Sequence, residues 1–301
     1  MLQLVALMAA MFLGYAIRRL PLSIMVLNKG LFYIVVLILL VMGYELGSNN
    51  TNLAAELSQL GEIVLVFTLC LFAANFIAGW WILKNLNLQL RTPVHASKGA
   101  NWWLFVKESG KYVVIIVLGL ILGAIFKQPI TALNGIISGL LFVLLFIIGH
   151  QMRLAGVSLR EIIFNKNGLR LALMIITSSL LAGIVAAFLL GLPAKSGLML
   201  SSGFGWYTLS SILNTSFIDH NFGACSFFID FIREIIAIIL IPSLGQRYPA
   251  TFVAYSGATA MDFSLPIIKQ NLHEDCILLA ISSGMLLSVA VPILITLFAK
   301  L

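Results

Sequence analysis

The most informative shortage in this chain is charge. Only 10% of its 301 residues are Asp, Glu, Lys or Arg, whereas 61% are hydrophobic and the mean hydropathy is +1.07. Soluble domains carry about 25% charged residues, because a protein in water needs a charged surface. The composition therefore excludes a soluble globular protein and predicts one integral membrane domain over residues 1–301.

Cysteine, histidine and recognisable catalytic motifs are also scarce. The three cysteines, Cys70, Cys225 and Cys276, lie in apolar segments and have no metal-ligand spacing. The four histidines have none either. We find no phosphate-binding loop and no Ser/His/Asp arrangement. The sequence therefore predicts no metal site, no cofactor and no enzymatic activity.

Long apolar runs account for most of the chain. A bilayer core about 30 Å thick is crossed by about 20 apolar helical residues. Runs near that length lie at 2–17, 30–47, 61–83, 110–127, 131–151, 171–191, 197–213, 222–244, 250–268 and 275–298. They divide into two groups of five, about 1–151 and about 170–300, whose first members run in opposite directions. We therefore predict an all-α polytopic membrane protein with two inverted five-helix repeats and broken helices.

The 18 basic residues lie mainly in the gaps between these runs, which argues against a nucleic-acid surface. Thirteen of them fall on one side of the membrane and four on the other, while Arg233 lies inside a span. The positive-inside rule then places the basic side in the cytoplasm and both termini on the outside. An even number of crossings follows from this orientation.

Two stretches in the C-terminal third interrupt the apolar runs with glycine and hydroxylated residues. The first runs from Ser202 to Ser210 and the second from Ser256 to Pro266. Inside a bilayer, backbone that leaves the helix survives only where it is buried in protein or lines a wet cavity. A pair of such stretches indicates a substrate site. The candidate binding residues within them are Ser202, Gly203, Trp206, Tyr207, Gly257, Thr259 and Asp262.

The sequence leaves open whether the interrupted segments cross the membrane. If 197–213 and 250–268 both cross as broken helices, the chain has ten spans. If both enter and return on the same side, it has eight spans plus two re-entrant segments. Only one basic residue, Arg247, changes sides between the two arrangements, so the charge bias hardly separates them. We favour ten spans because both segments are long enough to cross.

Four acidic residues lie within or at the edge of apolar spans, where a carboxylate is costly unless it is paired or hydrated. They are Glu45, Asp230, Glu234 and Asp262. Asp230, Arg233 and Glu234 share roughly one helical face, and one arginine cannot neutralise two acids. Glu234 is then the surplus carboxylate, which would be free to titrate or to bind a cation. Burial would bring its proton exchange towards neutral pH.

Each of these side chains also has a structural interpretation. Asp230 and Arg233 would then only fix helix packing. Asp262 would cap a helix, and Glu45 would be solvated at the outer end of its span. The rings of Trp206 and Tyr207 could stack on an ammonium group, but packing explains them equally well. The residues alone leave these alternatives open.

Three segments resemble the LysO lysine exporter family of bacterial inner membranes. They are Gly203-Phe204-Gly205-Trp206-Tyr207, the span from Asp230 through Arg233-Glu234-Ile235-Ile236-Ala237 to Pro242, and Gly257 through Asp262 to Pro266. The resemblance covers most of the chain in length and span pattern. It is strongest from about residue 195 onward, whereas in the N-terminal half it is the rhythm of the spans that matches.

That resemblance implies export of L-lysine and its toxic analogue thialysine, by proton antiport through intramembrane carboxylates. It implies a multi-pass protein of the bacterial inner membrane, and the charge bias then puts both termini in the periplasm. The implied fold is related to cation/proton antiporters and bile-acid-type carriers. The expected partners are lysine, protons and the lipid bilayer, and a homodimer is compatible with the sequence.

Other functions remain open from the residues themselves. The cargo could instead be a sodium ion or an organic anion on the same architecture, and residue type does not separate lysine from ornithine or arginine. A channel would conduct passively rather than exchange. An intramembrane enzyme would use Asp230 and Asp262 as its catalytic pair, although no nucleophile–base spacing supports it.

Overall fold

Helices dominate the fold, as predicted. A computed structural model describes residues 9–10, 12–17, 24–48, 53–85, 102–127, 133–154 and 165–301. These ranges contain helices and turns and no β-strand. The all-α prediction is therefore confirmed for the described part of the chain. About half of the predicted first span, 2–17, lies outside it.

Four long helices make up most of the described N-terminal half. They are α1 (Ile24–Ser48), α2 (Leu53–Asn85), α3 (Trp102–Phe126) and α4 (Leu133–Leu154). Helices α1 and α3 approach closely through glycines spaced four residues apart. A Cβ on Gly43 or Gly47 would overlap the backbone of α3, and one on Gly119 or Gly123 would overlap that of α1. Small residues at this spacing hold helices together in a bilayer, where no hydrophobic force drives their association.

Seven helices form the C-terminal half, which is described without a gap from residue 165. They are α5 (Lys166–Leu189), α6 (Ala194–Leu200), α7 (Tyr207–Phe217), α8 (His220–Leu244), α9 (Pro249–Ser256), α10 (Leu265–Asn271) and α11 (Glu274–Phe298). Two short 3₁₀ turns, Ser201–Gly203 and Gly257–Met261, follow α6 and α9. Each interrupted segment is thus a pair of short helices joined by irregular backbone.

The long helices have the length and surface of membrane spans. Among the described residues, four helices are long and apolar enough to cross a bilayer. They are Met25–Ser48, Leu57–Trp81, Lys166–Leu189 and Asp275–Phe298. Large apolar side chains on the outer surface are exposed, and Phe188 is 83% exposed. Such a surface suits lipid and not water, so the chain is a multi-pass membrane protein.

Both pairs of short helices return to the end of the bundle at which they start. In the second pair, Leu272 at the end of α10 lies against Gly245 at the end of α8, where α9 also begins. In the first pair, Phe222 at the start of α8 packs on the same buried cluster as Leu190 and Leu192, which precede α6. This geometry favours the eight-span arrangement over the ten spans that the sequence suggested.

The two halves also differ in continuity. In the described residues, the interruptions fall in the C-terminal half, whereas α1 to α4 run without a break. The repeats predicted over about 1–151 and about 170–300 would have placed broken helices in both halves. The five-helix inverted repeat therefore stays a prediction.

Candidate functional site

The first interruption begins where α6 ends at Leu200. A 3₁₀ turn follows, and Phe204 (φ 48°) and Gly205 (φ 93°) then take left-handed backbone conformations. The N–H of Trp206 donates to the carbonyl of Gly203 at 2.8 Å, and α7 begins at the next residue. The chain thus changes direction within a few residues, and the first turn of α7 is left at the centre of the protein.

The second interruption begins at Gly257, whose backbone (φ 64°, ψ −131°) belongs to a region that only glycine enters readily. A 3₁₀ turn leads to Asp262, and α10 starts at Leu265. Its N-cap is Ser264, whose side chain makes no capping bond. The Asp262 carboxylate accepts a hydrogen bond from the neighbouring N–H of Phe263 at 2.6 Å. In this conformation Asp262 therefore does not cap α10.

The two interruptions touch each other. The N–H of Ala258 donates to the carbonyl of Phe204 at 2.8 Å, which links one irregular backbone segment directly to the other. A Cβ on Gly257 would overlap that same carbonyl. Two stretches that lie more than 50 residues apart in sequence therefore form one structural unit, as a shared substrate site requires.

A cavity of about 230 Å³ lies between this unit and the N-terminal half. Its lining residues from the interruptions and α7 are Gly205, Trp206, Tyr207, Thr208, Leu209, Ala258, Thr259, Asp262 and Phe263. Those from the other helices are Leu31, Val35, Tyr112, Leu144, Ile148 and Ser288. Asp262 is the one ionisable acid among them, it is solvent-exposed, and no Lys or Arg accompanies it. The cavity is thus suited to a cation.

Aromatic rings surround much of this space. The rings of Tyr112 and Tyr207 lie 5.8 Å apart, and Tyr207 packs edge-on against Phe227 and Phe231. The prediction placed Trp206 and Tyr207 at the site, and both do line the cavity. Aromatic faces attract ammonium groups that come within about 6 Å, so the lining adds to the preference for a cation.

Helix α8 carries the charged cluster behind the cavity wall. The two oxygens of Asp230 accept hydrogen bonds from the N–H of Gly205 at 2.8 Å and from the hydroxyl of Ser210 at 2.6 Å. The Nε of Arg233 donates to the carbonyl of Tyr255 at 2.8 Å. Both side chains are only 2% exposed, and neither lines the cavity. They contact the first interruption, the first turn of α7 and the end of α9 rather than the open space.

Glu234 follows Arg233 on α8 and is fully buried. In this conformation it is not part of the cavity lining either. Gly203 lies against the carboxylate of Asp230 and Gly257 against the carbonyl of Phe204. The hydroxyl of Ser202 donates to the carbonyl of Leu198 in α6. Glu45 belongs to α1, but its side chain lies outside the described residues. Their predicted roles in transport therefore stay predictions.

Comparison with known proteins connects this site to a family. A family model described as "Lysine exporter LysO" matches residues 113–299. Over 300 residues the chain is 35% identical to the lysine exporter LysO of Escherichia coli (strain K12), with 98% of each chain covered. The chain belongs to the lysine exporter LysO family.

A second relative supports the same assignment. A protein of Haemophilus influenzae named "putative lysine exporter" is 39% identical over 185 residues, which is 62% of this chain and 95% of that protein. No solved structure matches the chain significantly. The LysO family model covers both interruptions, α8 and α11. Most of the cavity therefore lies in the part of the chain that the family shares.

Sequence reasoning missed several residues of the site. Ser210, which holds Asp230, ends the first interruption and could have been found from its hydroxyl. Tyr112 and Ser288 lie inside ordinary apolar spans. No local signal distinguishes them from packing residues. They reach the cavity only because α3 and α11 pack close to the point where the two interruptions touch.

Proposed function

We propose that this protein exports L-lysine, and toxic analogues such as thialysine, from the cytoplasm in exchange for protons. The observation that carries the proposal is the cavity at the meeting point of the two interruptions, with Asp262 as its exposed charge. Irregular backbone at that depth is typical of transporter substrate sites. The names of the two relatives supply lysine as the cargo.

The chemistry of the lining suits both ends of lysine. An ammonium group would lie near Asp262 and the aromatic rings. The carboxylate would lie at the first turn of α7, whose N-cap Trp206 makes no side-chain capping bond. Helix N-termini attract anions through their N–H groups.

Proton exchange is assigned to carboxylates within the spans. Glu234 is fully buried in α8, and Glu45 lies in α1. A carboxyl group is the side chain that can take up a proton on one side of the membrane and release it on the other. Alternating access would then load lysine from one side and protons from the other.

The same cavity lining fits the competing cargoes less well. An organic anion would need a basic group, and no Lys or Arg lines the cavity. A sodium ion would need a compact shell of oxygen ligands. The lining offers mainly apolar and aromatic side chains in addition to Asp262.

We propose eight crossings and two re-entrant segments, because both pairs of short helices return to their starting side. Arg247 then joins the basic side, which holds 14 of the 17 basic residues outside the spans. This orientation places the cavity near the cytoplasm. Leu31, Tyr112 and Ile148 lie within about three turns of the helix ends that face it. An exporter loads its cargo from that side.

The topology is tested by cysteine labelling in cells that carry a variant with its three native cysteines replaced. Gln246→Cys, next to Arg247, is exposed at the end of α8. We expect it to resist an impermeant maleimide until the cells are permeabilised. Ala194→Cys at the start of α6 is the matched control on the outer side, and it should be labelled in intact cells. Labelling of both positions in intact cells would support ten crossings.

The transport proposal is tested with purified protein in liposomes. We expect lysine to accumulate against its gradient in the acidified compartment, because protons that leave this compartment are exchanged for lysine that enters it, and the flux should reverse when the pH gradient is inverted. A channel would move lysine only down its own gradient. Transport of an anion that lysine does not compete with, or no lysine flux under any gradient, would contradict the proposal.

Asp262→Asn tests the assignment of the cavity. Loss of a charge-assisted contact worth about 2 kcal/mol should raise the KM for lysine roughly 30-fold. The matched control is Asp219→Asn, because Asp219 is an exposed residue that caps α8 through the N–H of Phe222 and asparagine caps equally well. Equal KM values for the two variants would show that lysine does not bind in this cavity.

A further inference from the structure

We propose that Asp230 and Arg233 form a clasp that fixes both interruptions to one face of α8. They act as positioning residues and neither carry protons nor contact lysine. The two residues lie three apart on the helix, so their side chains share one face. The inference uses the proposed function only where transport is the readout.

Asp230 holds the first interruption. Its two oxygens accept from the N–H of Gly205, at the bend, and from the hydroxyl of Ser210, in the first turn of α7. A Cβ on Gly203 would overlap this carboxylate, so the backbone of the interruption closes tightly around it. The bend and the first turn of α7 are thereby tied to one carboxylate.

Arg233 holds the second interruption. Its Nε donates to the carbonyl of Tyr255 at the end of α9, and its guanidinium lies 5.2 Å from the centroid of the Tyr255 ring. Its Nη2 would be 3.5 Å from a Cβ on Gly257. Neither Nη1 nor Nη2 has a hydrogen-bond partner among the described residues. Tyr255 and the carboxylate of Asp230 both help to offset the charge of this buried group.

The clasp determines where the cavity residues lie. Asp230 sets the position of Gly205 and hence of Trp206, and Arg233 sets the backbone that leads from Tyr255 towards Thr259. The hydrogen bond from the N–H of Ala258 to the carbonyl of Phe204 then connects the two interruptions directly. A movement of α8 would therefore shift the residues on both sides of the cavity.

The contacts of Asp230 argue against a role in proton transfer. Both of its oxygens accept strong hydrogen bonds, and the side chain is 2% exposed and absent from the cavity lining. A proton on Asp230 would take a negative charge away from the surroundings of the buried Arg233. Removing a charge partner of a buried cation is destabilising, so the pair should stay charged throughout the transport cycle.

Charge-matched variants test the clasp. Asp230→Asn and Arg233→Gln each leave one buried charge without its partner, so each should lower the unfolding temperature and reduce the maximal transport rate about tenfold or more. The double variant removes both charges of the clasp and should recover several-fold above both single variants. Its pH profile of transport should keep the wild-type shape. A proton carrier would behave differently, because the double variant would then stay inactive with a flattened profile.

A second pair of variants separates the clasp from general packing. Ser210→Ala removes one hydrogen bond to Asp230 and should reduce the maximal rate about threefold to tenfold, with little change in KM. Ser211→Ala is the matched control, because Ser211 is also fully buried in α7 but bonds within its own helix to Thr208. In an Asp230→Asn background the effect of Ser210→Ala should shrink. Equal effects in both backgrounds would overturn the clasp.

Failure of the clasp can be told apart from failure of the proposed function. If the wild-type protein moves no lysine, the proposed function fails. The unfolding temperatures of the Asp230 and Arg233 variants still decide the clasp in that case. If lysine transport is normal but the double variant is no better than the single ones, the clasp fails alone.

Discussion

Glu234→Gln is expected to abolish proton-coupled lysine export. Glutamine keeps the size of the fully buried side chain but cannot take up or release a proton. The accumulation of lysine driven by a pH gradient should fall to below about one hundredth of the wild-type rate, a change of about 2.7 kcal/mol. Exchange of lysine for lysine without a pH gradient should persist, because that reaction needs no proton. The measurement is flux of labelled lysine in liposomes, with and without an imposed gradient.

The chain offers a matched control for this variant. Glu62→Gln makes the same chemical change on α2, at an exposed residue, and should leave both reactions unchanged. Normal coupling in Glu234→Gln would refute the central mechanistic assignment. The proton-carrying role would then be assigned to Glu45 or Asp262, which the same assay can test.

Gly257→Ala should have an effect of similar size for a different reason. Its backbone conformation is strained for any residue with a Cβ, which costs about 1–3 kcal/mol. The added Cβ would also overlap the carbonyl of Phe204 and break the hydrogen bond from Ala258 that joins the two interruptions. We expect the unfolding temperature to fall and lysine transport to drop about 100-fold, or about 2.7 kcal/mol.

The control for this substitution is Gly139→Ala. A Cβ at Gly139 in α4 meets no heavy atom within 4 Å, so alanine should be neutral or slightly stabilising in a helix. Wild-type transport and stability in Gly257→Ala would show that the contact between the interruptions is dispensable. The cavity would then need a different structural basis.

Much of the architecture was accessible from the sequence because membrane insertion acts on local composition. The apolar runs predict the long helices α1, α2, α5 and α11, since length and hydropathy decide which segments a bilayer accepts. The two interruptions are visible as well, because glycine and hydroxylated residues stand out in an apolar background. Both features depend on residues that are neighbours in the chain.

The roles of individual acids were harder to predict. Asp230 and Asp262 look alike in sequence, as acids in apolar surroundings. In the structure, Asp230 is closed in by Gly205 and Ser210, whereas Asp262 is exposed at the cavity. What separates them is the set of donors within reach. Those donors come from segments about 20 to 25 residues away along the chain.

The sequence by itself thus determined the class of protein, the position of the long helices and the presence of two broken segments. The tertiary structure alone decided that these segments touch through Phe204 and Ala258. The physical reason is the distance along the chain over which each feature is determined. Hydropathy and charge bias are sums over local residues, whereas the meeting of two irregular segments depends on contacts that close only when α8 and α11 have packed against them.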